Sequence, residues 1–146
     1  MSEKVVHVAL AILYREGQFL LQLRDNIPGI VYPGYWGLFG GHLEPGETPE
    51  MTLKRELQEE IGYLPPQVWE FGSYQTPEVV RHVFHAPLTV GLDELVLNEG
   101  WDMGLWTPED IRRGDRYSEK ADEVRPLGGP HQQIFLQFIE RGLLKS

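Results

Sequence analysis

The stretch "GGHLEPGETPEMTLKRELQEEIGY", Gly40 to Tyr63, places a glycine-rich turn directly before a short segment carrying Glu56, Glu59 and Glu60. Both ends of a helix are marked in it. Thr48 can accept a bond from the orphan amides of a first turn, and Pro49 suits the first helical position. Glu50 complements the positive end, and Gly62 sits where a left-handed cap belongs. The spacing therefore predicts a helix over 49–61. At about 100° per residue, Leu53, Leu57 and Ile61 form one apolar stripe that should face a sheet. On the same scale Glu56 and Glu60 lie about 40° apart, with Glu59 about 60° to the other side of Glu56. Three like charges on one edge repel. One reading is a solvated face stitched by pairs four apart, Glu50 with Lys54 and Arg55 with Glu59. The other is a cation among them: glycines let backbone approach a ligand closely, and clustered hard oxygens suit Mg2+ or Mn2+.

Composition narrows the classes. The 146 residues suit one compact domain, 1–146. There is no cysteine, so disulfides, thiolate metal sites and a cysteine nucleophile are excluded, and a reducing cytoplasm is compatible. Arg15 and Glu16 interrupt the N-terminal apolar run before it could serve as a secretory signal, and no run is long enough to span a bilayer. The net charge of −9 repels polyanions, which argues against a nucleic-acid polymer as partner. It would also repel a small phosphorylated substrate, unless divalent cations reverse the charge locally.

Around the acidic helix, 5–14 and 19–24 read as strands joined by the turn "REGQ". The segment 25–41, with two prolines and five glycines, reads as a structured loop over the surface. Further strands are predicted at 68–75, 79–90 and 102–107, a short helix at 108–113 with Thr107 as N-cap, and a second main helix in 131–145 ending before Gly142. Strands mixed with two main helices give an α/β or α+β domain.

The order Gly41, five residues, Glu47, seven residues, then Arg55-Glu56-Leu57-Gln58-Glu59-Glu60-Ile61-Gly62-Tyr63 resembles the signature of the Nudix hydrolases at every fixed letter. The last position, usually aliphatic, is Tyr63. The resemblance implies an α/β/α sandwich with a mixed sheet between helices. It also implies metal-dependent hydrolysis of a pyrophosphate bond in a nucleoside diphosphate linked to another moiety, by water attack at phosphorus. Glu56 and Glu60 would be the leading Mg2+ ligands, Glu59 a ligand or water-mediated partner, and the Gly41 carbonyl a further ligand. Glu47 and Arg55 would orient the helix against its loop. The general base would be Glu59, or Glu99 in the loop before the late tryptophan strand. Many relatives dimerise, which adds a homodimer to the expectations.

Outside the box, Arg24 at a strand end is a candidate phosphate contact. Tyr35, with Tyr32 and Trp36, could stack on a base, although Trp36 also reads as core. His82 and His85, three apart in a strand, turn to opposite faces and are expected to hold no metal between them. Pro77 lies about where the family's ADP-ribose hydrolases carry a proline, yet no residue pattern chooses between a nucleoside triphosphate, a nucleotide sugar and a dinucleoside polyphosphate. The rival reading is a non-catalytic module that senses a nucleotide or docks a partner.

Overall fold

The structure, a computed structural model, describes residues 5–144. In chain order the elements are β1 (Val6–Arg15), β2 (Gln18–Leu23), β3 (Trp36–Gly37), β4 (Phe39–His42), α1 (Pro49–Ile61), β5 (Trp69–Gln75), β6 (Val79–Pro87), a 3-10 turn (Leu92–Glu94), β7 (Asp102–Trp106), α2 (Pro108–Arg113), β8 (Asp115–Ser118), β9 (Glu123–Pro126) and α3 (Gly129–Glu140). The main sheet runs β3-β2-β1-β6-β5, with β4 also paired to β1 and β7 to β2, while β8 and β9 form a separate hairpin. By contact density the chain divides into two compact units: up to Ile12 together with Phe39–Asn98, and Leu13–Leu38 together with Glu99 onward.

The first unit holds α1. Antiparallel pairing sets Ala9 opposite Gly41 and Leu10 opposite Gly40. Gly40 adopts φ +141°, and a Cβ there would collide with the Ala9 carbonyl, so no side chain fits. Leu53, Leu57 and Ile61 are fully buried, as the stripe predicts, each worth roughly 1.5–3 kcal/mol of burial. The caps also form as read. Thr48 Oγ1 accepts from the Met51 amide, and Gly62 at φ 64° returns its amide to the Gln58 carbonyl. Tyr63 is 7% exposed, and its hydroxyl meets Thr89 Oγ1 at 2.7 Å while accepting from the Thr89 amide at 3.1 Å. The departure from an aliphatic residue is thus a packing position that keeps a satisfied hydroxyl.

In the second unit the Glu16-Gly17 turn joins β1 to β2, both residues taking positive φ as a tight hairpin requires. Its core is aromatic: Trp36 lies edge-on to Trp106 with ring centroids 5.4 Å apart, and Phe19 meets Phe135 at 5.0 Å.

Several sequence expectations need correction. The segment 25–41 is not a surface loop throughout, because Trp36–Gly37 and Phe39–His42 are strands and Trp36, Leu38 and Phe39 are buried. Gly40 in that run is there to let two strands approach, a need that sequence composition does not separate from turn-making. Gln22, a polar residue within β2, is 3% exposed and donates to the Leu38 carbonyl at 3.1 Å. The strand over 79–90 ends at Pro87, and α3 begins at Gly129, two residues before its predicted start, because Pro130 is tolerated in its first turn. α3 ends at Glu140, short of Gly142 as expected, and Lys145, at the end of the tail 131–145, lies outside the described residues. The β8–β9 hairpin had no apolar alternation to announce it.

Candidate active site

Glu47, Glu56 and Glu59 meet around one guanidinium. Arg55 donates from Nε to Glu47 Oε2 at 2.7 Å and from Nη2 to Glu47 Oε1 at 2.9 Å, the two-pronged geometry that fixes orientation as well as charge. Its Nη1 reaches Glu56 Oε1 at 3.0 Å and Glu59 Oε2 at 3.4 Å, and Nη2 also donates to the His42 carbonyl at 3.2 Å. Glu47 is held further by Thr52 Oγ1 at 2.8 Å and by the Glu44 amide at 2.9 Å. Chiefly through the hydrogen bond from Arg55, the Glu47 carboxyl is lowered to about 2, and the guanidinium's own acidity is weakened in return. The turn after β4 is in this way locked onto the first half of α1.

Glu60 is 4% exposed and its Oε1 accepts from the Gly40 amide at 3.0 Å. Glu56 lies against Gly41, where a Cβ would sit 2.5 Å from its carboxyl carbon. Glu59 is half-exposed. Both pairs of the solvated-face reading are present as well, Lys54 Nζ to Glu50 Oε2 at 3.0 Å and Arg55 to Glu59. Among the described residues, no three His, Asp or Glu side chains are arranged so as to hold a metal ion. Arg55 supplies the positive charge that Glu47, Glu56 and Glu59 share. The donor set nevertheless has the chemistry of a hard divalent site: carboxylate oxygens on one helix edge, facing a backbone turn kept open by a glycine.

Comparison with known proteins bears on this geometry. A family model described as NUDIX domain matches residues 4–125. The chain belongs to the Nudix hydrolase family. It is 32% identical over 116 residues to an 8-oxo-dGTP diphosphatase of Haemophilus influenzae, covering 75% of this chain and 80% of the relative. A match to the nucleoside triphosphatase NudI of an Enterobacter species is 44% identical over 55 residues, 38% of each chain. Solved structures agree on the fold. A structure from a study of MutT from Aliivibrio salmonicida and Vibrio cholerae superposes with TM-score 0.74 at 20% identity, over 94% of this chain and 99% of that one. The NUDIX domain of Shewanella oneidensis NrtR, solved with ADP ribose, gives 0.71 at 22% identity, over 95% and 89%. The fold is accordingly the α/β Nudix fold with a mixed sheet, and the protein is a Nudix-type pyrophosphohydrolase.

The Nudix box residues Gly41, Glu47, Arg55, Glu56, Glu59 and Glu60 all belong to the first compact unit. Arg24, Tyr35 and Glu99 belong to the second. Arg24 donates Nε to the Val31 carbonyl at 2.7 Å, closing the loop after β2, and Tyr35 packs edge-on to Tyr32 at 5.5 Å. Glu99 is exposed. Sequence reading missed Asn98, whose amide donates to the Glu60 carbonyl at 2.8 Å and whose Nδ2 donates to the Glu59 carbonyl at 3.1 Å. With the Val96 amide on the Ile61 carbonyl, it satisfies the orphan acceptors at the end of α1. No signal in the sequence ties position 98 to a helix end almost forty residues earlier.

Proposed function

We propose that this Nudix hydrolase cleaves a pyrophosphate bond in a nucleoside diphosphate carrying a further group, with Mg2+ or Mn2+ as cofactor and water as nucleophile. The observation that carries this reading is the edge of α1 where Glu56, Glu59 and Glu60 stand beside a turn in which a Cβ at Gly41 would collide with the Glu56 carboxylate. Glu56, Glu60 and Glu59, with the Gly41 carbonyl, are the residues that would hold the ion. When bound, it supplies neutralisation of phosphate charge and a lowered pKa for water.

Everything else falls to the chain itself. Arg55, braced by Glu47, keeps the helix edge registered on its turn, so the carboxylates need little reorganisation when phosphate charge arrives. Glu59, half-exposed, is the proposed acceptor of the attacking water's proton, with Glu99 as the alternative. Arg24 and Tyr35 are proposed substrate contacts, acting from the loop after β2. Among substrate classes a nucleoside triphosphate is favoured, because two relatives carry that kind of activity in their names. We further propose a single functional domain over 1–146, acting in the cytoplasm, where a chain without cysteine loses nothing to the reducing environment. Among the described residues no helix is long and apolar enough to cross a membrane. A homodimer, the remaining expectation, is checked by light scattering.

The test is a panel of nucleoside triphosphates, 8-oxo-dGTP, ADP-ribose and nucleotide sugars, with and without Mg2+, read by product identity. Metal-dependent release of a nucleoside monophosphate from at least one of them is expected. Turnover that persists unchanged in chelator, or in Glu60→Gln, would overturn the assignment of these glutamates.

A further inference from the structure

Away from the carboxylate edge, the first compact unit brings two histidines together that the sequence sets 75 positions apart. His7 on β1 and His82 on the neighbouring β6 meet through Nδ1 and Nε2 at 3.0 Å, their rings within 17° of parallel and their centroids 5.3 Å apart. His7 is exposed, and His82 lines a cleft of about 600 Å³ together with Thr48, Glu50, Lys54, Glu70 and Ser73. Lys54, the cation of that cleft, is already neutralised by Glu50 at 3.0 Å. On the helical wheel Lys54 lies about 160° from Glu56 and about 120° from Glu60.

We propose that His7 and His82 form a binding site for a divalent transition cation of the imidazole-preferring class, with Zn2+ as its probe, separate from the hard-oxygen edge of α1. Two imidazole nitrogens bound to one tetrahedral ion at about 2.0–2.1 Å stand roughly 3.4 Å apart, so the pair, now head-on at 3.0 Å, must open by a few tenths of an ångström and both rings must tilt until their lone pairs converge on the ion. The proton ledger is simple. In the present contact one facing nitrogen carries N–H and the other a lone pair; if the donor ring moves its proton to its other nitrogen, both lone pairs face the ion and no proton leaves. His7 is exposed, which leaves the pair open to water that would complete the coordination, and Glu70 adds negative charge near His82. The pair cannot be doubly protonated without repulsion: burial and the neighbouring His7 both press the His82 imidazole toward its neutral, ligand-competent form. His85, three residues on, is not part of the site; its ring lies against Trp69 at 5.8 Å.

The experiment titrates ZnCl2 into the whole protein held in excess Mg2+, following imidazole 15N–1H signals and competition with a chromophoric chelator. One equivalent of Zn2+ is expected to bind, moving the His7 and His82 ring signals together. His7→Ala, which alters an exposed side chain, should weaken binding at least tenfold, and His85→Ala should leave it unchanged. Binding that is equally tight in His7→Ala, ring signals that stay still, or no uptake at millimolar ZnCl2 would each overturn the proposal.

Discussion

Glu60 holds the Gly40 amide and is proposed to hold the metal ion, and the two duties can be separated. Its Oε1 accepts from the Gly40 amide at 3.0 Å inside a nearly closed environment. Glu60→Gln keeps an acceptor oxygen there, so urea denaturation should find stability close to wild type while turnover falls at least a hundredfold. Glu60→Ala removes the acceptor and leaves a half-buried amide without it, so a further loss of about 1 kcal/mol is expected in the same assay. Equal stability of the two variants would mean that the Gly40 bond contributes nothing. Glu47 offers a pH test. Its carboxyl titrates near 2 in the fold against an ordinary value of 4.5, so its contribution is complete above about pH 4.5 and is lost as pH falls toward 2. Urea midpoints measured from pH 5 down to pH 2 should drop less steeply in Glu47→Gln than in wild type. The catalytic candidates among these residues were legible at once, because the box spacing names them. How Glu60 spends its oxygens was not, since its partner comes from a different element.

At the scale of elements, α1 is held at both ends by contacts of different origin. Its N-cap is local: Thr48→Ala removes the bond to the Met51 amide and should cost about 1 kcal/mol by denaturant unfolding. Beyond its C-terminal end the hold is tertiary. Tyr63→Phe keeps the buried ring but drops the hydroxyl that meets Thr89, and a cost of about 1 kcal/mol is expected, with kcat unchanged. A loss of kcat in Tyr63→Phe without loss of stability would move that residue into the chemistry. Helix α1 was readable to the residue because capping, stripe and stop signals agree over one short window. The strands after Trp36 were not, since their glycines and aromatics carry the same composition as a loop, and only their pairing partners on β1 and β2 distinguish the two.

For the molecule as a whole, stability rests on cores that the sequence populates but does not assemble. Phe135 is fully buried against Phe19, so Phe135→Ala should destabilise by about 3–5 kcal/mol in urea, with KM unchanged for whatever substrate the panel identifies. A marked rise in KM instead would tie that core directly to substrate binding.

The sequence alone determined the Nudix box, the exact span of α1, the buried stripe of Leu53, Leu57 and Ile61, and the shared edge of Glu56, Glu59 and Glu60, because each is set by spacing within a few turns of chain. Tertiary structure alone decided that Asn98 finishes the acidic helix, that Gln22 is buried, and that His7 faces His82. Those facts depend on which strands lie side by side, and pairing is chosen by the packing of the entire core rather than by any local run of residues.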